Sequence, residues 1–393
     1  LLRQYDQNDL GTWRWSPESF DRLLVPQAHG WSAIAQTECA KWFSIPLSSQ
    51  IVSNELNTQW KAFGTILSRL AREQAGFAAD NLRNDRGLFI TMARPGSVDV
   101  VNAATNMEDQ LCMLWAFSDI VSLAGKNGSP FADDQAADRF LKLADDLFVA
   151  IVNDKDALLD TSLNKVLAQS IGIPALVWYA SVTRAQDLKA RALWLLREFG
   201  DSLVRCQDQN ELVGDTLIDA AAALRGLIEA YRVTRLKTYA ETAVKIFNFI
   251  EGQYEKQLGI FAQTPLSRQY TFNTDDIGIV TGALSATREF LTDRVNTDLA
   301  DLRMRVFFCK TVDSSHLQMS MPSFDFLPQW LQDREPSTHF RSSDIPLPSQ
   351  AGGDFGIAPV FTGSVSFEPR ELSWSRRMIF DAPAAMHACC ELL

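Results

Sequence analysis

The sequence predicts an all-α protein: an (α/α)6 toroid of helical hairpins followed by an irregular, partly β C-terminal segment. Three observations predict it. Apolar residues through the middle of the chain recur at three-to-four spacing, the mark of one buried helical face. Helices that are apolar on most faces alternate with two-faced helices, which assigns the first kind to an inner wall and the second to an outer one. The alternation repeats every roughly 50–57 residues, slightly beyond the usual repeat lengths.

The elements follow in order. Residues 31–43 supply an N-terminal helix. Asn54-Glu55 precedes a helix containing Trp60, Phe63, Leu67 and Leu70. Inner helices rich in Ala, Leu and Ile are predicted at 111–123, 166–182 and 217–233, and a fourth follows Asp275-Asp276. Outer helices begin near Ala137, Lys189 and Tyr239, with apolar faces such as Leu141, Ala144, Leu147, Phe148 and Ile151. About six hairpins of this kind either extend as a solenoid or close into a ring. Closure hides the apolar flanks that an open array must cap.

The composition shifts after about residue 310. Pro322, Pro328, Pro336, Pro346 and Pro348 punctuate a stretch poor in helical period but rich in aromatics. Val360-Phe361 and 364–367 read as short strands, and Pro383 as the opening of a last helix. The expectation is a single domain over 1–393: hairpins at about 30–310, a segment covering one mouth of the ring at about 311–382, and a terminal helix at about 383–393.

Composition bounds the function. The chain has 393 residues, 46% hydrophobic and 22% charged, enough to bury a sizeable core, which excludes a disordered chain. A net charge of −11 argues against nucleic acid as a partner, since phosphate binding needs a basic surface. No apolar run approaches the ~18 residues of a spanning helix, so the protein is not expected to be transmembrane. The chain begins Leu1-Leu2-Arg3, without a charged and then apolar leader; an export signal would already have been removed. A periplasmic or otherwise exported location is favoured over the cytoplasm, and both stay open. The six cysteines are scattered, without C-x-x-C. Cys112, Cys206 and Cys309 sit in apolar helical contexts and are expected to be buried thiols.

Two outer helices are followed by similar motifs: Asn84-Asp85-Arg86-Gly87-Leu88-Phe89 and Glu255-Lys256-Gln257-Leu258-Gly259-Ile260-Phe261. A glycine there can take the left-handed conformation and turn the following aromatic back onto the core. With the helix alternation, these motifs resemble the six-hairpin glycosidase superfamily over roughly residues 30–310. Residues 230–262 are most similar to members akin to N-acylglucosamine 2-epimerase and to thioredoxin-linked hairpin proteins. The resemblance implies an active site at the ring's mouth, built from acids and aromatics at inner-helix ends, with histidines in the epimerase-like members. Here the histidines are His29, His316, His339 and His387, none of them within the hairpins from 111 to 288.

Acids stand at the predicted inner-helix starts: Asp109, Asp160, Asp215 and Asp275-Asp276. Asp109, Asp215, Asp275 and Asp276 are the candidate catalytic residues, because glycoside chemistry needs two carboxylates ~5–9 Å apart across one bond. The same acids serve equally as helix caps; the adjacent pair Asp275-Asp276 exceeds what one cap needs. Trp13, Trp15 and Trp374 lie outside helical runs and are candidate platforms for a sugar ring, whereas Trp115 and Trp178 fit the core. His29 precedes Gly30-Trp31 in a predicted loop. His387-Ala388-Cys389-Cys390 carries metal-capable side chains, but at no standard spacing. Phosphate-loop, dinucleotide, zinc-peptidase and nucleophile-elbow motifs do not occur, and no cofactor or metal is expected.

Two functions stand. One is a carbohydrate-active enzyme of glycoside hydrolase or lyase type, acting on a small-molecule or oligosaccharide substrate. It expects carboxylates converging on an open pocket. The other is a non-catalytic scaffold or interaction subunit with a protein partner, within an exported or membrane-associated complex. It expects a plugged ring and an exposed apolar patch.

Overall fold

The computed structural model describes residues 23–44, 54–94, 99–126, 129–208, 216–264, 270–313, 362–368, 373–379, 387 and 390. Among them the inner helices are α1 (Pro26–Phe43), α3 (Met107–Ala124), α5 (Lys165–Val182), α7 (Leu217–Thr234) and α9 (Thr274–Phe290). The outer helices are α2 (Asn54–Asn81), α4 (Asp134–Thr161), α6 (Gln186–Asp208), α8 (Lys237–Gly252) and α10 (Thr297–Phe308).

Burial follows the alternation. Nearly every residue of α3 is buried, whereas α4 buries one stripe: Ala137, Phe140, Leu141, Ala144, Leu147, Phe148, Ile151 and Leu158. A helix apolar all round needs neighbours on every side, and a one-striped helix needs one. Accordingly each outer helix packs on the inner helix of its hairpin, and the inner helices pack in sequence, α1 on α3, α3 on α5, α5 on α7 and α7 on α9. His387 and Cys390, both helical, bridge the two ends of this series. His387 meets α9 at Asp275 and α1 at Trp31, and Cys390 donates to the Trp31 carbonyl at 3.3 Å. These two residues thus stand where a sixth inner helix belongs, and the fold is the all-α toroid that the helix alternation predicts.

The inner helices all start at one end of the ring. Their caps are Asn106, Asn164, Thr216 and Asn273, each accepting from the backbone N–H three residues on. Side-chain links tie these starts together. Asn164 Nδ2 donates to Asp219 Oδ1 of α7 at 2.6 Å, and Ser162 Oγ donates to Glu108 Oε2 of α3 at 2.7 Å.

Short antiparallel pairs fill the links from outer to inner helices: β1 (Met92–Arg94) with β2 (Asp99–Asn102), and β3 (Tyr254–Glu255) with β4 (Ile260–Phe261). Gly87 and Gly259 have φ of +80° and +74°, the left-handed region where a side chain is strained. They sit inside turns after the helices rather than at the helix ends themselves. Leu88, Phe89, Ile260 and Phe261 beyond them are fully buried, as the motif predicts. β5 (Thr271–Phe272) joins β6 (Thr362–Glu368) and β7 (Ser373–Ile379) in a three-stranded sheet. β6 overlaps the strand expected at 364–367; β7 was not foreseen, and Val360-Phe361 lie outside the described residues.

Two local expectations change. α1 begins at Pro26, so His29 is helical, packed on Phe77 with ring centroids 5.5 Å apart, and not in a loop. Cys309 is exposed, because it ends α10 on the outer wall.

Candidate functional site

At the end where the inner helices start, a cleft of about 820 Å³ opens. Its lining comes from four of these starts: Gln27 and Trp31 of α1, Asn106 and Glu108 of α3, Asn164 and Leu167 of α5, and Asp275 of α9, with His387 beside them. Helix N-termini present unsatisfied N–H groups and the positive ends of their dipoles. The cleft therefore sets these N–H groups beside the carboxylates of Glu108 and Asp275. Arg and Lys are missing from its described lining.

His387 is the centre of the site. Its Nδ1 lies 2.5 Å from Asp275 Oδ1, and its ring stacks on Trp31 with centroids 4.2 Å apart and planes 23° from parallel. Its side chain is 5% exposed, with Nε2 itself buried, and that of Asp275 is 24% exposed, so the cleft reaches the carboxylate directly and meets the imidazole as part of its wall. A carboxylate at Nδ1 selects the tautomer with the proton there and makes Nε2 the basic nitrogen. It also stabilises the imidazolium that forms when Nε2 takes a proton. Trp31 in turn packs edge-on against Trp115 at 5.6 Å, which fixes the platform beneath the imidazole.

The four candidate acids separate. Among the three that are described, Asp275 alone lines the cleft. Asp276 completes a capping box with Asn273, accepting from its backbone N–H at 2.9 Å while its own N–H donates to Asn273 Oδ1 at 2.7 Å. Burial raises its carboxyl to about 6. Asp109 is the third residue of α3, buried beneath its cap, with Asn106 Nδ2 donating to its Oδ2 at 2.8 Å. Burial raises it to about 7, opposed by the amides of Gln27 and Asn106. Asp160 lies in the last turn of α4 and pairs with Lys165 at 2.8 Å. Asp215, Trp13 and Trp15 lie outside the described residues. Trp374 is on β7, in register with Phe367 of β6.

The cleft continues inward. A narrower pocket shares Leu167, Ile171 and His387 with it and adds Trp115, Ser170, Pro174, Ala222, Arg225 and Ile279. Among the described residues no group of three or more His, Cys, Asp or Glu is arranged to hold a metal ion.

In the sequence His387 stands outside the hairpins from 111 to 288 and beside two cysteines at no standard metal spacing, so nothing local marks it as a catalytic group. Its partner Asp275 is 112 residues away, a separation that local spacing does not reveal. A usable signal was ring closure itself: a terminal inner helix must lie between the first and the last hairpin.

No family model matches the chain, and no curated protein matches it in sequence. In structure it is similar to cellobiose 2-epimerase from Bacillus thermoamylovorans B4167, with 13% identity and a TM-score of 0.57 over 95% of this chain and 88% of that one. It is also similar to a sugar epimerase from a ruminal bacterium, with 13% identity and a TM-score of 0.55 over 99% of this chain and 93% of that one. At this identity the likeness is one of fold. The chain shares the (α/α)6 fold of these two sugar epimerases.

Proposed function

We propose that the protein is a carbohydrate-active enzyme of sugar epimerase or isomerase type, with His387 as the proton-transferring group. The observation that carries this reading is the His387–Asp275 pair, stacked on Trp31 at the wall of an open polar cleft. The fold shared with two sugar epimerases adds to it.

The chemistry is proton transfer next to a carbonyl. In an open-chain aldose the proton on C2 is acidified by the C1 carbonyl. Nε2 of His387 takes that proton, and the bond's electron pair moves toward the carbonyl oxygen, giving an enediolate. Asp275 stabilises the imidazolium. After the intermediate turns about its C2–C3 bond, return of the proton from Nε2 to the opposite face of C2 gives the epimer; transfer of the O2 proton to O1, with return of the Nε2 proton to C1, gives the ketose. Gln27, Asn106, Glu108 and Asn164 surround the cleft with groups that bond sugar hydroxyls.

A hydrolase or lyase is the second reading. It is favoured by one observation, that Glu108 and Asp275 are both carboxylates of the same cleft. Against it, Asp276 is engaged in its capping box and Asp109 is buried under its cap, which leaves neither as the partner carboxylate of Asp275.

The test is solvent exchange. Wild type is incubated in D₂O with glucose, mannose, cellobiose and lactose, and C2 deuteration and epimer formation are followed by proton NMR. Exchange with at least one sugar, lost in His387→Gln, is the expected result. Absence of exchange with all four, with release of nitrophenol from nitrophenyl glycosides in wild type but not in Glu108→Gln, would replace the proposal by the hydrolase reading. Neither activity would leave the scaffold reading.

A further inference from the structure

The inner pocket contains polar groups that the fold does not satisfy. Ser170 Oγ and Trp115 Nε1 are both buried without a hydrogen-bond partner, and both residues line this pocket. A buried hydroxyl inside a helix ordinarily returns its proton to the carbonyl four residues back. Thr37, Ser118, Thr281, Thr287 and Thr311 all do so here; Ser170 does not. The helix carries a second irregularity at the same place. Pro174 lies inside α5, and proline has no N–H to give to the carbonyl four residues earlier, which is that of Ser170. On the facing helix, Gly226 packs so closely that a Cβ there would stand 3.2 Å from Ser170 Cα. This contact brings the neighbouring Arg225, also a lining residue, alongside the serine.

The unmet indole N–H and serine hydroxyl thus border one small space that Arg225 also lines, and Pro174 leaves the Ser170 carbonyl without its usual helical N–H donor. The space has room for about one water-sized guest. Leaving such groups unmet costs stability, so their convergence beside His387 calls for a guest that both donates and accepts. Resting on the reading above, we infer that this pocket is a hydroxyl-recognition subsite. One sugar hydroxyl enters past His387, donates toward the Ser170 carbonyl or hydroxyl, and accepts from Trp115 Nε1 or Arg225. Ser170 and Trp115 are then specificity-determining residues. A site of this kind rejects the analogue lacking the hydroxyl, because its own buried groups stay unpaired.

The experiment is a cycle of calorimetric binding measurements. Wild type, Ser170→Ala and Trp115→Phe are each titrated with the sugar that exchanges best and with its monodeoxy analogues. In wild type one deoxy analogue is expected to bind at least 10-fold more weakly than the parent. In Ser170→Ala and Trp115→Phe that penalty shrinks several-fold, while penalties at other positions stay. Without sugar, Ser170→Ala is expected to melt about 1–3 °C higher, since an unmet hydroxyl has been removed. A deoxy penalty unchanged in both variants overturns the subsite and leaves the proton-transfer reading standing. Absence of sugar exchange in wild type overturns that reading and the subsite with it.

Discussion

Two aromatic-backed carboxylate pairs meet α1, one at Trp31 and one at Lys41, and their difference locates the function. At the mouth, His387 pairs with Asp275 and stacks on Trp31. Ten residues further along α1, roughly 15 Å by helix rise, Lys41 pairs with Asp119 of α3 and lies 4.3 Å over the ring of Trp178 of α5. The chemistry of the two ends is alike: a carboxylate, a basic group and a tryptophan face. Their surroundings are not. Asp275 is partly exposed and lines an open cleft, whereas the Asp119 side chain is fully buried, and its Oδ2 has no hydrogen-bond partner. Burial raises Asp119 to about 7 despite the lysine beside it. The inner end is a clamp between three inner helices; the mouth end is a site. Pairing and burial alone do not distinguish them, but access does.

Substitutions break this comparison with effects of descending size. His387→Gln should reduce C2 exchange by about 10²–10⁴-fold, the range of general acid–base catalysis, with an unchanged melting curve. Asp275→Asn should reduce it by roughly 10²-fold. At the other end, Lys41→Met strands a buried carboxylate and should cost about 3–5 kcal/mol in urea unfolding. Exchange per folded molecule should stay as in wild type. Combining it with Asp119→Leu should restore most of the stability, because a buried pair often gives no more than a packed apolar pair.

The buried acid at the mouth gives a pH signature. Asp109, with an ordinary value of 3.8, is raised to about 7 in the fold. Between these values the folded state holds a proton that the unfolded state has released. Its contribution therefore falls as pH rises from about 4 to about 7 and stays low above that. Asp276, raised to about 6, acts in the same direction over a narrower window. Asp109→Asn should flatten the decline and stabilise the protein at pH 8 by about 1–4 kcal/mol, read from denaturant midpoints across that range.

The smallest effects test the turn motif. Gly87→Ala forces a side chain to φ +80° and should cost about 1–2 kcal/mol. Gly252→Ala, at the end of α8 with open space around it, should be neutral or gain about 0.5–1 kcal/mol.

The fold was legible wherever burial wrote a periodic pattern. The apolar runs at 111–123, 166–182 and 217–233 fall inside α3, α5 and α7. The start of α1 was missed because Val25 caps it without a side-chain bond, leaving Pro26 as its main signal. The acids were seen one step out of register. Asn106, Thr216 and Asn273 are the caps, and Asp109, Asp219 and Asp276 follow each by three residues, as in a capping box. That pattern accounts for Asp276 structurally and leaves Asp275 as the acid with a different task. The site itself was illegible because it is assembled by ring closure. Trp31, Asp275 and His387 come from the first, last and terminal parts of the ring, and local spacing cannot bring them together.

The most direct measurement is nitrogen NMR of the protein with ¹⁵N-labelled histidine, which has four imidazoles. The account predicts one imidazole with a strongly downfield Nδ1 proton, lost in Asp275→Asn, whose Nε2 resonance alone shifts on titration with the exchanging sugar. A titration in which the sugar moves no imidazole, or moves one that Asp275→Asn leaves unaltered, would contradict it.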